Sequence, residues 1–232
     1  MPLSTPEILD LLKKVYGNLT AEWPTDPYDF LVWWHCGYPA SDRACARGWE
    51  SLRAATGITP QELLAAPMDT LTAALTPGGM VPEKRAMRLK EIASRVLKEF
   101  GGDLNSALRG TLADARRSLK KFPNIGDPGA DRILLFAKIA PIAAIPSNCP
   151  HVLVRLRRGR ERENYGVNYK EAQEAVATEV AETFPARQRA FLLLKRHGQE
   201  VCKAKPRCDE CALSPHCAYY NGHNRGRATS MK

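Results

Sequence analysis

The chain has 232 residues, of which 44% are hydrophobic and 25% are charged, a composition typical of a folded globular protein rather than a disordered one. It has no apolar run long enough for a transmembrane helix, and its first residues lack the basic and apolar regions of a secretory signal, so we expect a cytoplasmic protein. The 34 Lys and Arg residues against 25 Asp and Glu residues leave a net charge of +9. This surplus favours a polyanionic partner, because phosphates that are neutralised release their counterions.

Amphipathic periodicity predicts an all-α fold. Apolar residues recur at steps of three and four residues with charged residues on the opposite face, and no alternating strand pattern of convincing length is present. The predicted helices cover residues 6–16, 28–35, 42–55, 82–100, 112–121, 130–140 and 169–184. In the 82–100 helix, Arg85 falls among the charged residues of the outer face. Thr59, Pro60 and Glu62 have the order of an N-cap, a first-turn proline and a capping-box acid, which predicts a further helix start.

The segment from Phe122 to Ala130 joins two predicted helices and is rich in residues that allow unusual backbone angles. Lys120 and Lys121 directly precede it. A short glycine-containing turn at a helix start can direct backbone N–H groups outward and hold a phosphate without reading base sequence. The segment is also compatible with an ordinary tight connection between helices. A second basic stretch, 155–162, carries five arginines and indicates either a polyanion-binding surface or a solvated helix face.

The cysteines indicate a metal site. Four of the seven, Cys202, Cys208, Cys211 and Cys217, have the spacing C-x5-C-x2-C-x5-C. Without an export signal a disulfide framework is not expected, and clustered thiolates suit either tetrahedral zinc or an iron–sulfur cluster. Spacing alone does not separate these two. The scattered cysteines at 36, 45 and 149 are predicted to be small buried residues.

The connection from Phe122 to Ala130 and the two helices that it joins form a hairpin. This hairpin, followed by His197-Gly198 and the cysteine spacing that begins at Cys202, resembles the endonuclease III family, the iron–sulfur branch of the helix-hairpin-helix DNA glycosylases. The resemblance covers residues 25–217, and the first cysteine gap is one residue shorter than is usual in the family. It implies an all-α, two-lobed glycosylase fold with a C-terminal iron–sulfur cluster loop. Residues 1–25 and 136–232 would form the cluster lobe, and 26–135 a six-helix bundle that ends in the helix-hairpin-helix.

The same resemblance implies a cofactor and a partner. The four clustered cysteines would ligate a 4Fe-4S cluster, with zinc as the lesser alternative. A monomer would bind double-stranded DNA at the cleft between the lobes, and the protein would be associated with the nucleoid. Met80 could act as an apolar wedge or be an ordinary loop residue, and Tyr38 could enter the duplex or pack beside Trp33 and Trp34. The implied DNA-contacting residues are Tyr38, Met80, Lys120, Lys121, Asn124, Ile125, Gly126, Gly129, Lys203, Lys205 and Arg207.

The catalytic positions depart from the family pattern. Family chemistry uses a lysine just after the hairpin glycine, which forms a Schiff base with the sugar, and an aspartate about eighteen positions later. In this chain the two positions carry Pro128 and Pro146. Proline offers neither a nucleophile nor an acid or base. The substitutes worth testing are Asp127, Asp131 and Lys138, of which Asp131 is expected to be structural and Lys138 to face solvent.

Three hypotheses follow from these residues. The first is a base-excision-repair protein that recognises damaged or distorted duplex DNA with weak or absent glycosylase and lyase activity. The second is an active DNA glycosylase that uses substitute residues on an unusual lesion. The third is an iron–sulfur module for redox sensing or protein interaction, to which DNA is incidental.

Overall fold

A computed structural model of the protein describes residues 3–222, and every regular element in that range is helical. Short 3-10 turns lie at Thr76–Gly78, Cys208–Glu210 and Ser214–His216. None of the helices in the described part of the chain is long and apolar enough to cross a membrane. The α-helices are α1 (Thr5–Tyr16), α2 (Pro27–His35), α3 (Asp42–Thr56), α4 (Pro60–Ala65), α5 (Met68–Leu75), α6 (Pro82–Phe100), α7 (Leu104–Ala107), α8 (Leu112–Leu119), α9 (Asp127–Phe136), α10 (His151–Arg158), α11 (Tyr165–Glu179) and α12 (Phe184–Glu200).

The chain forms two compact units. The hairpin unit is residues 21–139 and contains α2 to α9, whereas the cysteine unit combines residues 1–20 with 140–232 and contains α1 and α10 to α12. The sequence predicted these boundaries between residues 25 and 26 and between residues 135 and 136. Residues 1, 2 and 223–232 of the predicted cluster lobe lie outside the described residues.

The hairpin unit is organised around an aromatic cluster on α2. Phe30 and Trp33 are buried, and Trp23 covers them from the segment before α2. The guanidinium of Arg132, from α9, lies 3.8 Å from the Trp23 ring centre and 4.8 Å from that of Phe30. Burial lowers the pKa of Arg132 to about 10, and the Asp42 carboxylate at 3.9 Å opposes that shift. The aromatic faces and Asp42 therefore stabilise a cation in the core.

The cysteine unit has its own apolar core. Ile8 and Leu12 of α1 pack with Val152 of α10, Val176 of α11 and Leu193 of α12. This packing buries the apolar stripe of α1 that the sequence periodicity indicated. Two buried residues of the cysteine loop, Leu213 and Cys217, extend the same core.

Capping decides where several helices begin. The predicted start at Pro60 is confirmed, with Thr59 and Glu62 forming a reciprocal capping box. The prediction 169–184 was wrong by about a turn, because Asn164 caps α11 by accepting from the Val167 amide. The prediction 130–140 was also displaced, since Pro128 is tolerated in the first turn of α9 and Lys138 leaves the helix with φ 55°. Helix α12 was not predicted.

Glu179 joins three helices of the cysteine unit. Its Oε2 accepts from the Thr5 amide at the start of α1, at 2.6 Å, and from Arg157 Nη2 of α10, at 2.7 Å. The hydrogen bond from Arg157 is the main cause that lowers the Glu179 pKa from 4.5 to about 2. Because the folded pKa lies below the ordinary one, the stabilisation is complete above about pH 4.5 and is lost as the pH falls towards 2.

We expect Glu179→Gln to lower the free energy of unfolding by about 1 kcal/mol at pH 7, a value reduced for the partial exposure of the carboxylate. The difference from wild type should shrink progressively in urea unfolding at pH 5, 4 and 3. Glu174→Gln, an exposed change on the same helix, is the control. A difference that stays constant down to pH 3 would contradict the assigned ion pair.

Candidate functional site

The hairpin between α8 and α9 is built by two buried anchors and two exposed turn residues. Phe122 and Ile125 are 2% and 6% exposed, whereas Asn124 and Gly126 face solvent. Asn124 has φ 57°, a left-handed conformation that asparagine tolerates better than most residues. Gly126 is the N-cap of α9, and no side chain caps that helix. The predicted contact residue Ile125 therefore offers its backbone rather than its side chain.

The charged groups around the hairpin are paired with one another. Lys120 Nζ lies 2.7 Å from Asp127 Oδ1, and Lys121 Nζ lies 2.9 Å from Glu99 Oε2. Both lysines remain about half exposed, since each side chain retains 46% of its accessible surface. They can therefore exchange these carboxylates for a phosphate, because exposed ion pairs are weak.

Asp131 ties the two helices of the hairpin together. Its carboxylate is 1% exposed and accepts from Arg116 Nε of α8 at 2.7 Å. The expectation that Asp131 is structural agrees with this geometry. A carboxylate already engaged in the core of the unit is poorly placed for general acid or base work.

The two positions that the family resemblance predicts to be catalytic carry no reactive side chain. Pro128 lies in the first turn of α9, and Pro146 is buried in an extended segment, where its carbonyl accepts from the Cys149 amide at 2.9 Å. Of the substitutes, Asp127 pairs with Lys120, and Lys138 is exposed just past the end of α9. These positions place no lysine or carboxylate in an enclosed site.

Two further segments of the hairpin unit carry the other predicted contacts. Tyr38 follows α2 and stacks on Trp34 with ring centres 4.4 Å apart, which is the packing alternative stated for it. Met80 is 85% exposed and Val81 is 50% exposed in the turn before α6. The exposed apolar tip formed by these two residues, hereafter the Met80 loop, has the character expected of a wedge.

The four clustered cysteines line one partly open cavity in the cysteine unit. All four are free thiols, and burial raises the pKa of Cys202 to about 11 and also raises the pKa values of Cys208 and Cys211. Within residues 3–222, no three His, Cys, Asp or Glu side chains stand as a group that could hold a metal ion.

Side-chain nitrogens lie beside two of these sulfurs. Arg155 Nη1 donates to Cys202 Sγ at 3.6 Å and to the Lys203 carbonyl at 2.6 Å. His197 Nε2 lies 3.6 Å from Cys211 Sγ, while its Nδ1 contacts the Tyr16 hydroxyl at 3.1 Å. Donors of this kind stabilise thiolate charge.

The loop between the first two cysteines is basic and exposed. Lys203, Lys205 and Arg207 all face solvent. Arg207 is the most constrained, because it donates to the Glu200 carbonyl at 2.6 Å and pairs with Glu210 at 2.8 Å. Lys203 and Lys205 therefore carry most of the adaptable charge of this loop.

Periodicity misassigned two arginines. Arg85, predicted on the outer face of α6, is 1% exposed, and Arg155, in the stretch interpreted as a possible solvated face, is 7% exposed. Their carbonyl acceptors come from distant segments, Cys36 for Arg85 and Lys203 for Arg155. Helix periodicity cannot reveal such partners. The three other cysteines, at 36, 45 and 149, are buried as predicted.

Known proteins share both sequence and fold with this chain. Endonuclease III of Thermotoga maritima is 26% identical over 169 residues, 72% of each chain, and the thymine-DNA glycosylase of Aeropyrum pernix is 26% identical over 215 residues, 90% of each chain. The structure of a non-covalent endonuclease III–DNA complex matches 96% of this chain and 99% of its own, with a TM-score of 0.76 at 19% identity. A thermostable thymine-DNA glycosylase matches 94% of this chain and 97% of its own, with a TM-score of 0.73 at 18% identity. No protein-family model matches the chain.

The described helices thus form the fold of a helix-hairpin-helix glycosylase. The sequence relatives and this fold together show that the chain belongs to the endonuclease III superfamily of helix-hairpin-helix glycosylases. The resemblance inferred from the hairpin and the cysteine spacing is therefore confirmed at the level of the superfamily.

We expect Asp131→Asn to lower the free energy of unfolding by about 2 kcal/mol, because it removes the charge that a buried ion pair requires. Asp127→Asn, which affects the exposed pair with Lys120 in the same hairpin, should change it by at most about 0.5 kcal/mol. Urea unfolding of the purified protein measures both. Equal effects of the two substitutions would show that Asp131 does not join α8 to α9.

Proposed function

We propose that the protein binds double-stranded DNA and acts in base-excision repair as a recognition protein for damaged or distorted duplexes, with glycosylase and lyase activity weak or absent. The observation that carries the binding is the exposed hairpin, whose helix α9 begins without a side-chain cap. The first N–H groups of a helix lack intrahelical partners and attract anions. A backbone phosphate is the anion that such a turn suits, and related proteins are described as endonuclease III bound to DNA.

Several features of the described surface support a polyanionic partner. Lys120 and Lys121 flank the hairpin and remain half exposed. Lys203 and Lys205 supply charge at the cysteine loop. The Met80 loop adds an exposed apolar tip, as is found in proteins that separate stacked base pairs. A protein of this kind would be associated with the nucleoid.

The proposed weak or absent glycosylase and lyase activity follows from Pro128 and Pro146. Schiff-base formation at the sugar needs an uncharged amine, and stabilisation of the developing positive charge needs a carboxylate. Neither proline supplies these groups. Asp131 is held by Arg116, and Lys138 faces solvent, so neither substitute takes over the role. Recognition without rapid base removal is the function that these residues support best.

The direct test combines a binding titration with borohydride trapping on duplexes that contain an abasic site or an oxidised pyrimidine. We expect tight, salt-dependent binding and no trapped adduct under single-turnover conditions. Pro128→Lys, which restores an amine at the family position, should form an adduct with the abasic duplex. An adduct formed by the wild-type protein would instead favour the active-enzyme alternative, with Lys138, Lys120 and Lys121 as the first amines to replace.

Charge substitutions test the binding surface separately. We expect the double variant Lys203→Gln, Lys205→Gln to weaken duplex binding and to reduce the slope of log affinity against log salt by about 1 to 2, since each lost phosphate contact contributes about 0.9. Lys14→Gln, an exposed change on α1, is the control. An unchanged slope would exclude the loop from the interface.

We further propose that the four cysteines ligate a 4Fe-4S cluster. A single zinc ion needs four sulfurs at about 2.3 Å from one point, whereas a cubane cluster binds each thiolate through a different iron and fills a larger cavity. The four thiols line one cavity, and the resemblance to the endonuclease III family favours the cluster over zinc. Arg155 and His197 would donate to the bound thiolates, and the cluster would hold the basic loop in place.

We expect the purified protein to contain about four iron atoms and to absorb in the visible range as iron–sulfur proteins do. Cys202→Ser should lose this absorbance together with most of the iron. Cys45→Ser should retain both, because that thiol lies in the hairpin unit and donates to the Trp34 carbonyl. Stoichiometric zinc with no visible absorbance would overturn the assignment.

A further inference from the structure

Arg85 is a buried cation at the start of α6 that donates only to main-chain carbonyls in its assigned hydrogen bonds. The side chain is 1% exposed. Its Nε donates to the Met80 carbonyl at 3.2 Å, its Nη2 to the Gly79 carbonyl at 2.6 Å and its Nη1 to the Cys36 carbonyl. Each nitrogen of the planar guanidinium therefore has its own acceptor. Lysine cannot reproduce this arrangement, because its donors diverge from a single atom.

The Cys36 carbonyl is the point at which three segments meet. Cys36 is the C-cap of α2, so its carbonyl lies beyond the regular helix bonds. A Cβ at Gly78, in the turn before the Met80 loop, would overlap this carbonyl, and so would a Cβ at Gly48 on α3. The two glycines thus allow close backbone approach, and Arg85 neutralises the carbonyl dipole at the contact.

The Met80 loop is held in a conformation that its residues do not favour. Val81 has φ 49° and ψ 54°, in the left-handed region that is unfavourable for a β-branched residue. Met80 is nevertheless directed into solvent, with 85% of its surface exposed. An exposed apolar side chain on a strained turn needs an external support, and the hydrogen bonds from Arg85 to the carbonyls of Gly79 and Met80 provide it.

The same guanidinium also attaches this loop to the turn after α2. Tyr38, two residues beyond Cys36, stacks on Trp34 and fixes the position of that turn. Arg85 therefore links the two segments of the hairpin unit that carry the candidate intercalating residues, Tyr38 and Met80. The Arg85 hydrogen bonds reach only main-chain atoms of these segments. None of the assigned bonds joins Arg85 to the Tyr38 ring or to the Met80 side chain.

We propose that Arg85 is a positioning residue for duplex opening, which holds the Met80 loop rigidly against the α2 turn so that Met80 enters the base stack at a distorted step. The inference rests on the proposed DNA binding and specifies how the bound duplex is deformed. The ligand it selects is a duplex step that is already weakly stacked, because inserting a wedge there costs least. Arg85 does not itself contact the DNA.

The experiment uses the cluster-loaded full chain and a short duplex with 2-aminopurine beside a tetrahydrofuran abasic analogue. Anisotropy gives the affinity, and 2-aminopurine fluorescence at saturating protein reports unstacking. Met80→Ser defines the signal without a wedge. We expect Arg85→Lys and Arg85→Met to retain duplex affinity within about threefold. The fluorescence increase on binding should be about fivefold smaller than that of the wild-type protein.

Two further variants separate positioning from folding. Val81→Gly leaves Arg85 in place and adopts the left-handed conformation without strain, so its melting temperature should not fall. Because Arg85 still donates to the Gly79 and Met80 carbonyls, this variant should retain the fluorescence increase. Arg95→Lys, at the middle of the same helix with ion-pair partners Glu91 and Glu99, should behave as wild type and controls for an Arg→Lys change on α6.

The outcomes distinguish the inference from the function on which it rests. Wild-type protein that binds no duplex would overturn the proposed function. A Met80-dependent fluorescence increase that survives in Arg85→Lys, or one that is lost in Val81→Gly although Arg85 is retained, would overturn the positioning role alone. Loss of the increase in the Arg85 variants at unchanged affinity, with Val81→Gly and Arg95→Lys unaffected, would establish it.

Discussion

The structure depends on how an all-helical chain satisfies the carbonyls that its helix ends leave without partners. Buried arginines perform this function at several positions. Arg85 donates to the Cys36 carbonyl at the end of α2, and Arg187 donates to carbonyls at and just beyond the end of α11. Arg155 donates to the Lys203 carbonyl in the cysteine loop. Each guanidinium fixes an irregular segment to a helix, and the candidate binding loops are among the segments that are fixed in this way.

The fold of the hairpin does not depend on a reactive side chain at position 128. The hairpin is held by Phe122, by Ile125 and by the ion pair between Asp131 and Arg116, and these contacts do not involve position 128. Proline is tolerated in the first turn of α9 because the first residues of a helix donate no intrahelical hydrogen bond, so the N–H that proline lacks is not needed there. Position 128 therefore accepts proline without disturbing the hairpin. The proposed loss of the family's lysine chemistry is thus compatible with the retained fold.

The cysteine unit also contains buried side chains that hold an irregular segment in place. Burial raises the pKa values of Cys202, Cys208 and Cys211, so a bound metal would have to displace their protons. Nearby donors from Arg155 and His197 would favour the thiolates that result. Arg155 acts on the sulfur and on the loop backbone at once. A bound cluster and the exposed lysines of the loop would thus be mechanically coupled through one side chain.

The sequence by itself determined the helical class, the capped start of α4, the cysteine spacing and the superfamily, because these features depend on local periodicity and on short motifs. It displaced α9 and α11 by about a turn and missed α12, since caps such as Asn164 compete with apolar periodicity at helix ends. Only the tertiary structure decided that Arg85 and Arg155 are buried, that Tyr38 stacks on Trp34 and that Met80 stands exposed on a strained turn. Those outcomes depend on carbonyls and rings that are distant in sequence, and charge patterning along one helix contains no information about them.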